Sequence, residues 1–405
     1  MRNDHPLRAT PSVPAVCLLI AGCLAHAQPV PARPGIPPDT FPIVAFSAGN
    51  PNDSNFAEVK RVGFDTVHRY RLASRAPADV KAYLDMADKH GLKVMMDVSA
   101  FVDPRHSPAK DMAPDERLEA LRTAIRTWKS HPALGFWYVY DEPAPKVMSP
   151  ASLKQIHDTV KAETPDIPTA IAQHWGEKWW EYMPCVDIVM PDFYPIRDQA
   201  FPEVSRLPQM AEFFGKVGRV SKRTVPIVQC FGFPRLPNST EVRYMLFSSL
   251  TQGIEGMAFW SYWYARFKPF QIRNKDGGSK AGEFDPAYMR TVYSPVLLEL
   301  KAFVASIMPA DKVAYAKGAK DWEISDTGLL HGLWRRDGAT YVVAVNNQAE
   351  ERDINAPFDC GLGNCVLEPL GATRRTDARI RDARLVISAT TPWEVFVWRC
   401  TPVPK

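Results

Sequence analysis

The chain lacks the features that mark several large classes of protein. It has no glycine-rich phosphate loop and no Cys or His cluster with the spacing of zinc ligands. Its 49 basic and 45 acidic residues nearly balance over 405 residues, which argues against a strongly basic surface for nucleic acid. Beyond the N-terminal segment, no run reaches the roughly 18 apolar residues of a membrane-spanning helix. We therefore expect a globular protein with no metal, cofactor, nucleic-acid partner or membrane span.

The N-terminal segment has the pattern of an export signal. Two arginines precede an apolar run at 13–25, and the small-x-small sequence AHA closes that run at 25–27. This pattern predicts a signal peptide over residues 1–27 and a periplasmic or secreted protein. The alternative is a lipoprotein, because the sequence IAGC resembles a lipobox and would place a lipid anchor on Cys23. Residues 28–40 are rich in proline and are predicted to form an extended linker.

Five cysteines follow the predicted signal peptide: Cys185, Cys230, Cys360, Cys365 and Cys400. An oxidising compartment permits disulfides, and Cys360 and Cys365 are a candidate pair across a short loop. An odd number leaves at least one thiol free. Cys185 and Cys230 lie in apolar runs, which favours buried side chains over reactive ones.

Short apolar runs alternate with helical patterns over residues 41–311. The runs lie at 41–49, 64–71, 92–100, 133–143, 168–175, 186–196, 225–233 and 253–263. The segments between them carry apolar residues at helical spacing. Eight such units with nearly continuous apolar strands predict an α/β fold, a parallel (β/α)8 TIM barrel buried on both faces. The alternative, a doubly wound open sheet, normally has a ligand-binding glycine turn after an early strand, and none is present.

The sequence changes character near residue 309. Short β-rich runs separated by turn residues lie at 328–336, 339–347, 383–389 and 393–400. This pattern predicts a small antiparallel β-sandwich over residues 312–405.

Polar and aromatic residues cluster at the ends of the eight predicted strands. In parallel barrels the carboxyl ends of the strands build the active site. The carboxylate candidates are Asp97, Asp141, Glu142 and Asp192. The candidates for substrate binding are His68, Tyr70, Tyr140, His174, Trp175, Tyr194, Gln229, Phe231, Trp260 and Tyr262. Aromatic rings stack on the apolar faces of sugars and carboxylates manage protons and the oxocarbenium charge, so the pattern predicts glycoside cleavage of an oligo- or polysaccharide.

Structural alternatives stay open for several of these residues. Asp97 is also placed to cap the helix that follows its strand, and Asp192 to form a turn. The paired Trp179 and Trp180, in a loop or short helix after the fifth run, suit either core packing or a platform for sugars.

The motif FWYVYDEP resembles the fourth-strand motif of clan A glycoside hydrolases, whose acid/base Glu commonly follows an Asn. Glu142 matches that acid/base, and Asp141 stands at the place of the Asn. The segment around Tyr194 resembles the sixth-strand segment whose Tyr faces the catalytic centre. Trp260 resembles the eighth-strand Trp that floors the sugar site. The resemblance therefore implies that Glu142 is the general acid/base.

The sequence departs from this family at the seventh strand. Clan A enzymes carry a nucleophilic Glu there, whereas this chain has Gln229, and an amide cannot form the glycosyl-enzyme ester. Three explanations stay open. Asp192 or Asp97 is the second carboxylate; or the Asp141–Glu142 pair acts as in the similar Asp-Glu β-N-acetylhexosaminidases, with the substrate as nucleophile; or the site binds sugars without cleaving them.

Overall fold

Eight parallel strands form a closed barrel, which confirms the predicted (β/α)8 fold. The strands are β1 (Ile43–Ala45), β2 (Thr66–Arg69), β3 (Lys93–Asp97), β4 (Leu134–Asp141), β5 (Thr169–His174), β6 (Ile188–Asp192), β7 (Ile227–Gln229) and β8 (Met257–Trp260). Each strand pairs with the next, and β1 closes the barrel on β8 with Ala45 opposite Phe259.

The computed structural model describes residues 34–37, 39–176, 178–196, 206–232, 235–263, 271–273, 279–281, 287–308, 328–358 and 364–403. The predicted signal peptide, with Cys23, and the predicted boundary between the two domains at 311 and 312 lie outside these residues.

Helices connect the strands around the barrel. They are α1 (Asp53–Val62), α2 (Pro77–Lys89), α3 (Pro114–Trp128), α4 (Pro150–Glu163), α5 (Leu207–Val220), α6 (Ser239–Thr251) and α7 (Ser294–Ile307), while a 3₁₀ helix (Trp179–Cys185) joins β5 to β6. Hydrogen bonds to capping side chains help to fix where some of these helices begin. At α6, Asn238 accepts a hydrogen bond from the Glu241 N–H at 2.9 Å, and the Glu241 carboxylate accepts one from the Asn238 N–H at 2.8 Å. None of the described helices has the length and apolarity needed to cross a bilayer.

Side chains along the strands alternate between two buried layers. Met95 lies in the cluster that fills the barrel, whereas its neighbours Val94 and Met96 pack in the cluster beneath the helices. Because both layers exclude water, both faces of a strand must be apolar. This explains why the strands are nearly continuous apolar runs in the sequence.

A short antiparallel ribbon, β9 (Gln271–Arg273) and β10 (Ser279–Ala281), follows β8, and a C-terminal antiparallel sheet follows the barrel. The strands of that sheet are β11 (Leu329–Arg336), β12 (Ala339–Asn346), β13 (Arg352–Pro357), β14 (Cys365–Pro369), β15 (Arg379–Arg381), β16 (Arg384–Thr390) and β17 (Val395–Pro402). All seven form one sheet in the order β11-β12-β17-β14-β15-β16-β13. One core holds side chains from both halves of the sheet, including Trp398 of β17 and Ile387 of β16. The predicted antiparallel β-domain is therefore confirmed, with its strands in one hydrogen-bonded sheet.

The sheet packs on α6 and α7. Arg243 of α6 pairs with Glu299 of α7 at 2.8 Å and donates to the carbonyl of Val395. The Tyr244 hydroxyl donates to the side chain of Asn347, which follows β12. These contacts are largely buried and join the barrel to the sheet.

The predictions for the cysteines are confirmed in part. Cys185 and Cys230 are buried, as predicted. Cys360 lies outside the described residues, so its pairing with Cys365 stays a prediction. The Sγ of Cys365 lies 3.0 Å from the Sγ of Cys400 on β17.

Candidate active site

A cavity of about 670 Å³ opens at the carboxyl ends of the barrel strands. Residues at the ends of β4, β5, β6 and β8 reach it. Its lining consists of Glu142, His174, Trp175, Asp192, Phe193, Tyr194, Arg206, Gln209, Glu212, Phe231 and Trp260. Acidic and aromatic side chains thus meet in the place where the sequence predicts a sugar site.

A β-bulge in β4 decides which way its last residues point. Opposite β5, Tyr138 pairs with Ala170 but Tyr140 pairs with the next residue, Ile171, so Val139 is the extra residue. Beyond the bulge, the side chains that regular alternation would turn into the barrel point outward, and those that it would turn outward point into the barrel. Tyr140 packs in the outer layer beneath the helices, although it is predicted to bind substrate.

The reversal turns Asp141 toward the barrel interior, where the Tyr138 hydroxyl donates a hydrogen bond to its carboxylate. Burial raises the pKa of Asp141 from 3.8 to about 6; the hydrogen bond from Tyr138 lowers it, and the charge of Glu142 raises it. Asp141 is not among the residues that line the cavity. It is half-buried and lies outside the cavity wall.

Glu142 lies in the cavity wall. Its backbone is left-handed, with φ of 51°, and its N–H donates to the Ala172 carbonyl of β5 at 3.2 Å. Such a conformation is strained for a residue other than glycine and here turns the chain out of the strand. The Glu142 side chain is 45% exposed, and its Oε2 lies 3.8 Å from Nδ1 of His174. Its carboxyl group is therefore accessible from the cavity.

Asp192 ends β6 and is only 6% exposed. It pairs in register with His174 on β5, so that strand separates it from β4. Its Oδ1 has no hydrogen-bond partner among the described residues. Burial raises the pKa of Asp192 well above its ordinary value, and the charge of Glu142 raises it further. Asp192 and Glu142 therefore line the same cavity, with the charge of Glu142 acting on Asp192.

Asp97 and His68 lie deeper, under the cavity. The fully buried Asp97 carboxylate accepts hydrogen bonds from the Arg71 N–H at 2.9 Å, from the Ser99 N–H at 2.8 Å and from the Ser99 hydroxyl at 2.6 Å. Its Oδ2 is 3.5 Å from Nε2 of His68, whose pKa is lowered by burial. The ring of Tyr70 packs edge-on against His68 at 4.6 Å. Asp97 thus fixes the chain after β2 and β3.

Two further predicted substrate-binding residues, Gln229 and Tyr262, lie outside the cavity lining, as do His68, Tyr70 and Tyr140. Gln229 is fully buried and exchanges hydrogen bonds with the backbone of Ile196, accepting at 2.9 Å and donating at 2.8 Å. Its amide also donates to the Phe231 carbonyl at 3.2 Å. Tyr262 is fully buried against Phe64, with ring centroids 5.5 Å apart. Neither side chain lines the cavity, because one braces a loop and the other packs in the outer layer.

Three rings form an aromatic corner in the cavity wall. Tyr194 and Phe231 have centroids 5.0 Å apart, Phe231 and Trp260 4.8 Å, and Tyr194 and Trp260 5.7 Å. The peptide bond between Trp260 and Ser261 is cis. All three of these predicted site residues line the same cavity as the two carboxyls.

Sequence reasoning missed one wall of the cavity and one residue behind it. The wall comprises Phe193, which follows β6, and Arg206, Gln209 and Glu212 at the start of α5. The start of a helix that follows a barrel strand is a general signal for such residues. The residue behind the site is Arg105, and nothing in its sequence neighbourhood singles it out.

Arg105 supports the end of β4. Its guanidinium makes a bidentate pair with the buried Asp103, from Nε to Oδ1 at 3.0 Å and from Nη2 to Oδ2 at 2.7 Å, and donates to the Asp141 carbonyl at 3.2 Å. It also lies 5.5 Å from the centroid of the Tyr140 ring. These contacts hold the end of β4, which carries Asp141 and is followed directly by Glu142.

No cluster of three or more His, Cys, Asp or Glu side chains in the described part of the chain has an arrangement that would hold a metal ion.

No family model and no curated protein matches this sequence. Several solved structures do. A glycoside hydrolase matches with a TM-score of 0.63 and 12% identity, covering 92% of this chain and 97% of its own. A family 5 glycoside hydrolase from Bacteroides vulgatus matches with a TM-score of 0.59 and 10% identity, covering 92% and 91%. An Anoxybacillus alpha-amylase matches with a TM-score of 0.56 and 12% identity, covering 91% and 99%. The chain shares their fold.

Proposed function

We propose that this protein is a glycoside hydrolase in which Glu142 is the general acid/base and Asp192 the second carboxylate. One observation carries the proposal: an exposed and a buried carboxyl group line one cavity that is rich in aromatic rings. Two carboxyls in unlike environments are the groups that cleavage of a glycosidic bond requires. The shared fold with glycoside hydrolases and an alpha-amylase supports the same reaction class.

The two carboxyls have different roles in the proposed reaction. Burial and the charge of Glu142 raise the pKa of Asp192 well above its ordinary value, which favours one proton on this pair of carboxyls. When that proton resides on Glu142, the accessible partner, it can pass to the glycosidic oxygen as the bond to the anomeric carbon breaks. Asp192 is then the carboxylate that either bonds to the anomeric carbon or takes a proton from an attacking water.

The structure favours Asp192 over the other two carboxylates as second carboxyl. Asp141 lies outside the cavity lining and accepts a hydrogen bond from Tyr138, so it is poorly placed to orient an N-acetyl group of a substrate. Asp97 is fully buried and accepts three hydrogen bonds, so we assign it a positioning role. We also propose that the protein is exported, on the basis of the N-terminal signal pattern.

A screen of nitrophenyl glycosides tests the proposal. The panel includes hexosides, pentosides, uronides and N-acetylhexosaminides, and NMR follows the anomer of the first product. We expect the wild type to hydrolyse at least one substrate and Asp192→Asn to lose most of that activity, while Asp158→Asn, an exposed change on α4, keeps it. Binding of sugars without product would overturn the proposal. Hydrolysis of N-acetylhexosaminides alone, lost in Asp141→Asn but not in Asp192→Asn, would favour substrate assistance.

A further inference from the structure

Two tryptophan side chains are exposed beside the cavity. Trp175 is 45% exposed and lines the cavity itself, and Trp180 is 54% exposed in the 3₁₀ helix after β5. Large aromatic side chains gain free energy by leaving water, so two exposed indoles near one cavity indicate a surface that binds something.

Packing fixes these two rings to one support. Phe213 of α5 contacts Trp175 with ring centroids 5.0 Å apart and Trp179 with centroids 5.6 Å apart. Trp179 in turn contacts Trp180 edge-on at 6.0 Å. Trp179 is half-buried and packs against the main core, so it belongs to the support rather than to the exposed surface. We call Trp175, Trp179, Trp180 and Phe213 the aromatic strip.

Charged and polar side chains lie beside the rings of the aromatic strip. The Lys216 ammonium lies 5.0 Å from the centroid of the Trp175 ring and pairs with Glu212 at 2.5 Å. Arg206 and Gln209 line the cavity on the same helical segment. Hydrogen-bonding groups beside exposed rings suit a sugar, which has apolar faces and a rim of hydroxyls, better than they suit a lipid or a large apolar protein surface.

We infer that the two exposed rings of the aromatic strip, Trp175 and Trp180, form a binding surface for a glycan chain that continues from the catalytic cavity. Trp175 lies in the cavity, whereas Trp180 lies outside its lining, so a ligand touching both must extend beyond one sugar unit. This inference rests on the proposed function and specifies its substrate: a chain of several sugars.

Affinity electrophoresis tests the strip separately from catalysis. The full chain is run through gels containing soluble starch, glucomannan, xylan or laminarin, beside Trp180→Ala and the control Leu298→Ala, an exposed apolar change on α7. We expect at least one glycan to retard the wild type and the control, and about 10-fold weaker binding of that glycan by Trp180→Ala. Hydrolysis of nitrophenyl glycosides should be unchanged in Trp180→Ala, and thermal unfolding should show that it is folded.

Three outcomes would overturn the inference. They are equal retardation of Trp180→Ala and the wild type, no retardation of the wild type by any glycan while nitrophenyl glycosides are cleaved, and Trp180-dependent binding to phosphatidylglycerol vesicles or to a second copy instead of to glycans. Retardation that depends on Trp180 without any hydrolysis would instead uphold the strip and refute the proposed function.

Discussion

Gln229 and Ile196 exchange two hydrogen bonds, at 2.9 and 2.8 Å, and thereby tie the end of β7 to the loop after β6. The amide uses its donors and its acceptor fully on backbone groups. A carboxylate in the same place has no hydrogen to donate and would face two carbonyl oxygens in a site closed to water. Gln229 therefore acts as a brace, and its position does not offer a vacant place for a nucleophile.

We predict that Gln229→Glu lowers the free energy of unfolding by about 3 kcal/mol, since it leaves buried carbonyls without donors. It should add no hydrolytic activity. Urea unfolding at pH 7 measures the first effect, with Gln155→Glu on the exposed face of α4 as the matched control. Unchanged stability together with increased turnover would contradict the bracing role.

Arg105 positions the strand end that carries Glu142. We predict that Arg105→Ala lowers kcat by roughly 10- to 100-fold with little change in KM, because a small displacement of a catalytic group is costly while the cavity wall stays intact. Arg105→Lys, which retains the charge, should recover part of the loss. Steady-state kinetics on a hydrolysed nitrophenyl glycoside provides both constants.

A second measurement separates positioning by Arg105 from general destabilisation. The charge of Arg105 lowers the pKa of Asp141, so that pKa should rise further in Arg105→Ala. Arg117→Ala is the control, since Arg117 also donates to a backbone carbonyl, that of Ala109 at 2.9 Å. Equal falls in kcat for Arg105→Ala and Arg117→Ala would argue against a specific role for Arg105.

Asp141 makes stability depend on pH. Its pKa is about 6 in the folded protein and near 3.8 when exposed, so the folded state binds the proton more tightly. Its contribution to stability is therefore fully present below about pH 4 and is lost as pH rises through about 6. In Asp141→Asn this loss is absent, and the side-chain oxygen can still accept from Tyr138.

Unfolding curves at several pH values test this prediction. Between pH 4 and 7, the stability of Asp141→Asn relative to the wild type should rise by on the order of 2 kcal/mol. The exposed Asp158→Asn should show no such trend. A difference between Asp141→Asn and the wild type that is constant with pH would mean that Asp141 is not buried as described.

The barrel was predictable because its strands are buried on both faces. Eight runs such as the one containing Met95 read as nearly continuous apolar segments, and their ends collect polar residues. That pattern also identified Glu142, Asp192 and the corner of Tyr194, Phe231 and Trp260, which line one cavity.

The bulge in β4 was not predictable from the pattern. One extra residue, Val139, moves Tyr140 outward and Asp141 inward, and strict alternation along the strand gives the reverse. The roles of Gln229 and Arg105 depend on partners distant in the chain, Ile196 and Asp141. Such pairings follow from tertiary contacts, which residue spacing does not encode.

The acid role of Glu142 is tested most directly by comparing two leaving groups. Glu142→Gln removes the proton donor and keeps the size of the side chain, with the exposed Glu119→Gln on α3 as control. We predict that kcat of Glu142→Gln falls about 10³-fold on a glycoside with a poor leaving group such as methanol, and much less on its dinitrophenyl counterpart, which leaves without protonation. Equal turnover by Glu142→Gln and the wild type on the poor leaving group would contradict the account.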